Sequence, residues 1–197
     1  MFPLGTPLVP GQMLPLQVFE PRYRALVQTC LAGDRTFGVV LIERGSEVGG
    51  GDVRFDVGTV ARIEECAESP DGRYVLAAVG TDRFRVTAWL PDGPFPRAEV
   101  EIMTDPEAGA DTLERRTAVV EGFHRVLDAA RSLGAEIPNG LTLADDPIRA
   151  GWEATALAPV GPLDVLRILD EDDPAVRLDL VAAALADAAE LLELRLE

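Results

Sequence analysis

Leu14-Pro15-Leu16-Gln17-Val18-Phe19-Glu20-Pro21-Arg22-Tyr23-Arg24-Ala25-Leu26-Val27 is the stretch on which the reading of this fold turns. Residues 14–19 form a short apolar run after the turn pair Pro10-Gly11, as a strand does. Glu20-Pro21 ends that run. Proline suits the first position of a helix, where its missing N–H removes no hydrogen bond. Tyr23, Leu26, Val27 and Cys30 then recur at helical spacing, and Gly33 stops the pattern. A strand passing directly into a helix at one corner is therefore expected.

Working outward, residues up to 104 carry strand signals. Phe37 to Ile42 is continuously apolar, which predicts a strand buried on both faces. Val57 to Glu65 alternates, with Val57, Thr59, Ala61 and Ile63 on one face. Tyr74 to Val79 follows the turn Ser69-Pro70-Asp71-Gly72, and Arg83 to Trp89 alternates again. Phe95 to Met103 completes the set after Pro91-Asp92-Gly93-Pro94. Six short strands and one helix predict a compact barrel or rolled sheet.

The second half changes period. Residues 105–111 read as a linker by composition. Thr112 to Leu133 keeps a 3.6-residue apolar repeat and is closed by Gly134. Pro147 to Leu157 and Pro162 to Leu169 read as helices. Asp173 caps a last one, with Pro174 behind it. The expected organisation is α+β: a β-rich lobe over 1–104, a linker over 105–111 and a bundle of about four helices over 112–197.

Composition excludes several chemistries. The chain has 34 acidic residues, 18 basic ones and a formal charge of −16, and every basic residue is arginine. Nucleic-acid affinity comes from phosphates neutralised by Lys and Arg, so neither nucleic acid nor an anionic membrane is an expected partner. Without lysine there is no P-loop and no Ser–Lys dyad. No signal peptide or membrane span is read, and the expected location is cytoplasmic. Cys30 and Cys66 are expected as two buried free thiols. A lone His124 with two distant cysteines predicts no metal site, and no Gly-x-Ser-x-Gly elbow is present. Gly49-Gly50-Gly51-Asp52 lacks the strand-to-helix context of a dinucleotide loop, so no cofactor is expected. Tyr23, Trp89, Phe95 and Trp152 are the candidates for an apolar binding surface, although each ring would also serve as core.

Several segments together resemble the Lon N-terminal domain family. They are Phe2-Pro3-Leu4-Gly5, the run from Leu14 to Val27, Phe37-Gly38-Val39-Val40-Leu41-Ile42 followed by Glu47-Val48-Gly49, Val57-Gly58-Thr59-Val60-Ala61-Arg62-Ile63, Gly80-Thr81-Asp82-Arg83-Phe84-Arg85-Val86 and Asp173-Pro174-Ala175-Val176-Arg177-Leu178. The resemblance implies a PUA-like β lobe followed by a helical bundle. It implies a stand-alone substrate-binding module in protein quality control, without the ATPase and peptidase modules of Lon protease. Phe19, Glu20, Pro21, Arg22, Tyr23, Gly58 and Gly80 are the motif residues and are expected to be structural. Arg22 would brace the corner through hydrogen bonds to carbonyls, while Gly58 and Gly80 would serve tight backbone positions.

The expected function is non-catalytic binding of exposed apolar segments of unfolded or damaged polypeptides in a cleft between the lobes, with a separate protease or ATPase as a further partner. The alternatives are a regulatory or scaffold module with a dedicated folded partner, and an enzyme acting on small molecules through cleft carboxylates. The sequence leaves the oligomeric state open.

Overall fold

The computed structural model describes residues 1–45, 51–106, 109 and 111–196. Contacts divide the chain into two compact units, Met1–Thr104 and Asp105–Glu197. The fold class is α+β.

The first unit is a curled six-stranded sheet with one helix. In chain order its elements are β1 (Phe2–Leu4), β2 (Met13–Val18), α1 (Pro21–Ala32), β3 (Thr36–Arg44), β4 (Val53–Glu68), β5 (Tyr74–Leu90) and β6 (Arg97–Met103). The sheet order is β1-β3-β4-β5-β2, and β6 also pairs with β5. β1 runs parallel to β3, and the other pairings are antiparallel.

Six strands are present, but two of them differ from the expected set. β1 has three residues with proline in the middle, too short to show any period. Tyr74 to Val79 and Arg83 to Trp89 are one continuous strand rather than two. Gly80 lies within β5, where a Cβ would stand 2.3 Å from the Val9 carbonyl oxygen. The ladder to β4 shifts register there, between Thr59 and Ala61. This is how a bulge lets one strand bend without ending.

The core of this unit gathers Phe2, Leu4, Val18, Tyr23, Leu26, Val27, Phe37, Ile63 and Leu76, with Leu14, Leu16, Cys66 and Phe95 packed against it. Both thiols are free. Cys30 is buried as expected, whereas Cys66 is only half-buried on β4. Of the glycine run, Gly49 and Gly50 lie outside the described residues.

The second unit comprises α2 (Asp111–Ser132), α3 (Pro147–Leu157), α4 (Pro162–Asp170) and α5 (Pro174–Glu193). Asp146 and Asp173 cap α3 and α5 by accepting from Arg149 N and Ala175 N, and proline opens each helix. Gly134 closes α2 with φ +88°, the left-handed conformation that glycine takes without a Cβ clash. Val119, Phe123 and Val126 of α2 and Leu178, Val181 and Leu185 of α5 are buried.

Candidate functional site

The corner between β2 and α1 is built from main-chain bonds and stacked rings. Glu20 is the extended N-cap residue. Its carbonyl accepts from the N–H groups of Tyr23 and Arg24 at 3.1 and 2.9 Å. Arg22 donates from Nε to Glu20 Oε2 at 3.2 Å, and its guanidinium lies 4.3 Å from the Tyr23 ring centroid. Arg22 thus braces the corner through a carboxylate and a ring. Tyr23 is stacked on Phe2, and Phe2 tilts against Phe37 at 6.0 Å. Burial pushes the Tyr23 phenol pKa up to about 12. Its hydroxyl has no hydrogen-bond partner among the described residues.

An apolar outer face of β2 and β5 runs up to this corner. The register sets Met13 opposite Val79, Pro15 opposite Ala77 and Gln17 opposite Val75. Directly opposed residues share a face of the sheet. Met13 and Val75 are 56% and 52% exposed, and Phe19 at the end of the strand is 54% exposed. A small pocket of about 90 Å³ adjoins Phe19, lined also by Phe2, Leu4, Leu16, Val18 and Tyr23 among others. It can accept a side chain, whereas small-molecule sites run to about 300–1,000 Å³.

The motif residues Phe19, Glu20, Pro21, Arg22 and Tyr23 thus come together, but only Phe19 offers substantial apolar area to a ligand. Tyr23 is 3% exposed and Trp152 is 7% exposed. Both rings are spent in the cores of their own units and present little binding surface. Phe95 packs against the core of the first unit. Trp89 is half-buried, donates from Nε1 to Asp56 at 2.8 Å and carries the Arg54 guanidinium over its ring at 4.9 Å. Gly58 and Gly80 lie at close backbone approaches: a Cβ on Gly58 would fall 2.1 Å from the Val39 carbonyl oxygen. Met13 and Val75 were not among the sequence candidates. Their signal is the alternation within each strand, which places both on the outer face once β2 and β5, distant in sequence, are paired.

Two larger hollows belong to the second unit. One of about 460 Å³ is lined by Asp111, Thr112, Asp172 and Asp173, and one of about 530 Å³ by His124, Arg125, Asp128 and Glu193. Several of their charges are engaged: Asp111 with Arg115, Asp173 with the α5 N-terminus, and Arg125 with Glu193. His124 is exposed on α2. Among the described residues no three His, Cys, Asp or Glu side chains are grouped so as to hold a metal ion.

The family model for the substrate-binding domain of the ATP-dependent protease La (LON) matches residues 1–187. The chain belongs to this family. A solved structure of a Lon N-terminal domain protein from Xanthomonas campestris superposes with a TM-score of 0.67 at 33% identity, covering 92% of this chain and 95% of that one. Among curated relatives, a Lon protease of Cytophaga hutchinsonii is 30% identical over 145 residues, 73% of this chain and 18% of the relative. A Lon protease 2 of Herpetosiphon aurantiacus is 26% identical over 198 residues, 97% of this chain and 24% of the relative. The chain thus spans a quarter or less of the length of these relatives. The match falls on the substrate-binding domain, not on the protease or ATPase domains.

Proposed function

We propose that this chain is a non-catalytic capture module for exposed apolar segments of non-native polypeptides. The observation that carries the proposal is the apolar outer face of β2 and β5 that runs to the β2–α1 corner, where Met13, Val75 and, at the corner itself, Phe19 each leave about half their area in water in a chain of the Lon substrate-binding family. Apolar burial contributes roughly 25 cal/mol per Å² and has no directional demand, so such a surface suits clients of varied sequence. The family match supports polypeptide as the ligand class. A separate ATPase or protease would then act on what is held.

A cytoplasmic location goes with this role, and among the described residues no helix is long and apolar enough to cross a membrane. The reading as an enzyme of small molecules has less support, because Asp111, Asp173 and Glu193, which line the larger hollows, are engaged in ion pairs and a helix cap.

The test is binding of one labelled client, folded and then chemically unfolded, at two salt concentrations. Selective binding of the unfolded form with little salt dependence is expected. Equal affinity for both forms would sink the proposal and turn attention to a dedicated folded partner. Apolar capture predicts that Phe19→Ser and Met13→Ser each weaken binding while the fold is kept.

A further inference from the structure

The pocket at the corner lies where the two ends of the curled sheet meet. Phe2 and Leu4 of β1 line it from one side, and Leu16, Gln17 and Val18 of β2 from the other. β1 and β2 are the terminal strands in the sheet order. Among the described residues β1 pairs with β3 alone and β2 with β5 alone. Each strand therefore turns one row of main-chain groups away from any ladder.

The direction of those groups on β2 follows from one bond. The Gln12 carbonyl accepts from Gly80 N at 2.9 Å, so the main chain of an even-numbered residue faces β5. In an antiparallel strand the N–H and C=O of a residue point the same way and alternate along the chain. Leu14, Leu16 and Val18 thus bond to β5, while Met13, Pro15 and Gln17 face the open edge. Pro15 fits this assignment, since proline is tolerated in a sheet where its nitrogen faces outward. The open edge offers donors from Met13 and Gln17, and acceptors from Met13, Pro15 and Gln17.

We infer that this seam binds a short extended peptide segment as an added strand on β2, with one aliphatic side chain in the pocket between β1 and β2. The inference rests on the reading of the chain as a binder of non-native polypeptides, and it assigns the mode of recognition. Main-chain pairing supplies affinity without regard to sequence, and the alternate side chains reach the pocket and the outer apolar face. Pro15 offers no donor at the middle of the edge, which limits the paired length and discourages open-ended strand addition. A net charge of −16 favours segments that are neutral or basic over acidic ones.

The probe is a capped heptapeptide of alternating threonine and valine with an arginine at each end. It is titrated against the whole chain by fluorescence anisotropy. Two further peptides carry N-methyl groups on one or the other alternate set of residues. An added strand uses one set of N–H groups, so one methylated peptide should lose about tenfold in affinity or more while the other keeps most of it. Amide exchange at Met13 and Gln17 should slow when the parent peptide binds. Gln17→Pro, which removes an edge donor, should weaken binding more than Gln17→Ala, with circular dichroism confirming that both variants fold. Equal binding of all three peptides overturns the inference, as does failure of the parent to bind. If an unfolded client still binds in those cases, apolar capture stands and only the strand-addition mode falls. Loss of both removes both readings.

Discussion

Phe2 and Tyr23 lie face to face, with ring centroids 4.2 Å apart and planes inclined by 12°. One ring belongs to the three-residue strand β1 and the other to the first turn of α1. The pair joins the start of the chain to the corner that follows β2, and the Arg22 guanidinium lies over the same tyrosine. Stacked rings contribute about 0.5–1.5 kcal/mol beyond their buried area. Tyr23 in the Phe-Glu-Pro-Arg-Tyr motif is thereby a packing residue.

The tyrosine hydroxyl is the weak point of this arrangement. It is buried and has no partner among the described residues, and an unpaired buried hydroxyl costs about 1–3 kcal/mol. Tyr23→Phe should therefore be neutral or stabilising, as measured by denaturant midpoint. A clear loss of stability would show that the hydroxyl is bonded in solution.

The same burial sets an alkaline limit. The Tyr23 pKa is raised from 10.0 to about 12 because burial disfavours the phenolate. Between those values the folded chain holds a proton that the unfolded chain releases, so stability falls as pH rises from about 10 towards 12. The melting temperature should drop over this window, and less steeply in Tyr23→Phe. In a Tyr74→Phe background the only remaining phenol should ionise well above pH 10 by absorbance at 295 nm. Ionisation near 10 would contradict the burial.

Gly58 and Gly80 make a second case in which motif residues serve the backbone. A Cβ on Gly58 would meet the Val39 carbonyl oxygen at 2.1 Å and the Phe84 ring at 2.7 Å, and one on Gly80 would meet the Val9 carbonyl oxygen at 2.3 Å. These neighbours are main chain or core and cannot swing away. Gly58→Ala and Gly80→Ala should each destabilise by about 1–3 kcal/mol or more, as overpacking does. The readout is chemical denaturation with circular dichroism. Unchanged midpoints would mean that the sheet relaxes freely at both positions.

The corner and the helices were legible because their signals are local. Proline at the first helical position and Asp173 ahead of Pro174 mark boundaries by chemistry confined to a few residues, and α1 begins at Pro21 as expected. β1 was not legible. Its pairing partner, Val39 to Leu41, lies far along the chain, and Phe2-Pro3-Leu4 has no alternation to show. The continuity of β5 was hidden for a similar reason: the alternation breaks between Val79 and Arg83, and only the pairing to β2 and β4 carries the strand through Gly80. The exposed face of Met13, Pro15 and Val75 depends on which strands pair and in what register, and a single strand does not state its neighbour. Trp152 shows the limit for single aromatics, since helical spacing places it on a face but does not say what covers that face.

What covers Trp152 is Arg177. Its guanidinium lies 5.0 Å from the indole ring centroid and makes two hydrogen bonds of 2.8 Å to the Asp105 carboxylate. Arg177 is almost fully buried and Asp105 is partly exposed. The pair ties α5 to the residue that opens the second unit, which gives a structural use to the arginine of Asp173-Pro174-Ala175-Val176-Arg177-Leu178. Removing one partner of a buried pair costs about 3–5 kcal/mol, whereas replacing both costs less. Arg177→Met should therefore destabilise toward the lower end of that range, because water can still reach Asp105. The double variant Arg177→Met, Asp105→Asn should be more stable than the sum of the two single changes predicts. The measurement is a double-mutant cycle by chemical denaturation. It is followed by Trp152 fluorescence in a Trp89→Phe background, so that the signal reports this helix packing alone. Strict additivity would mean that the two residues do not act as a pair in solution.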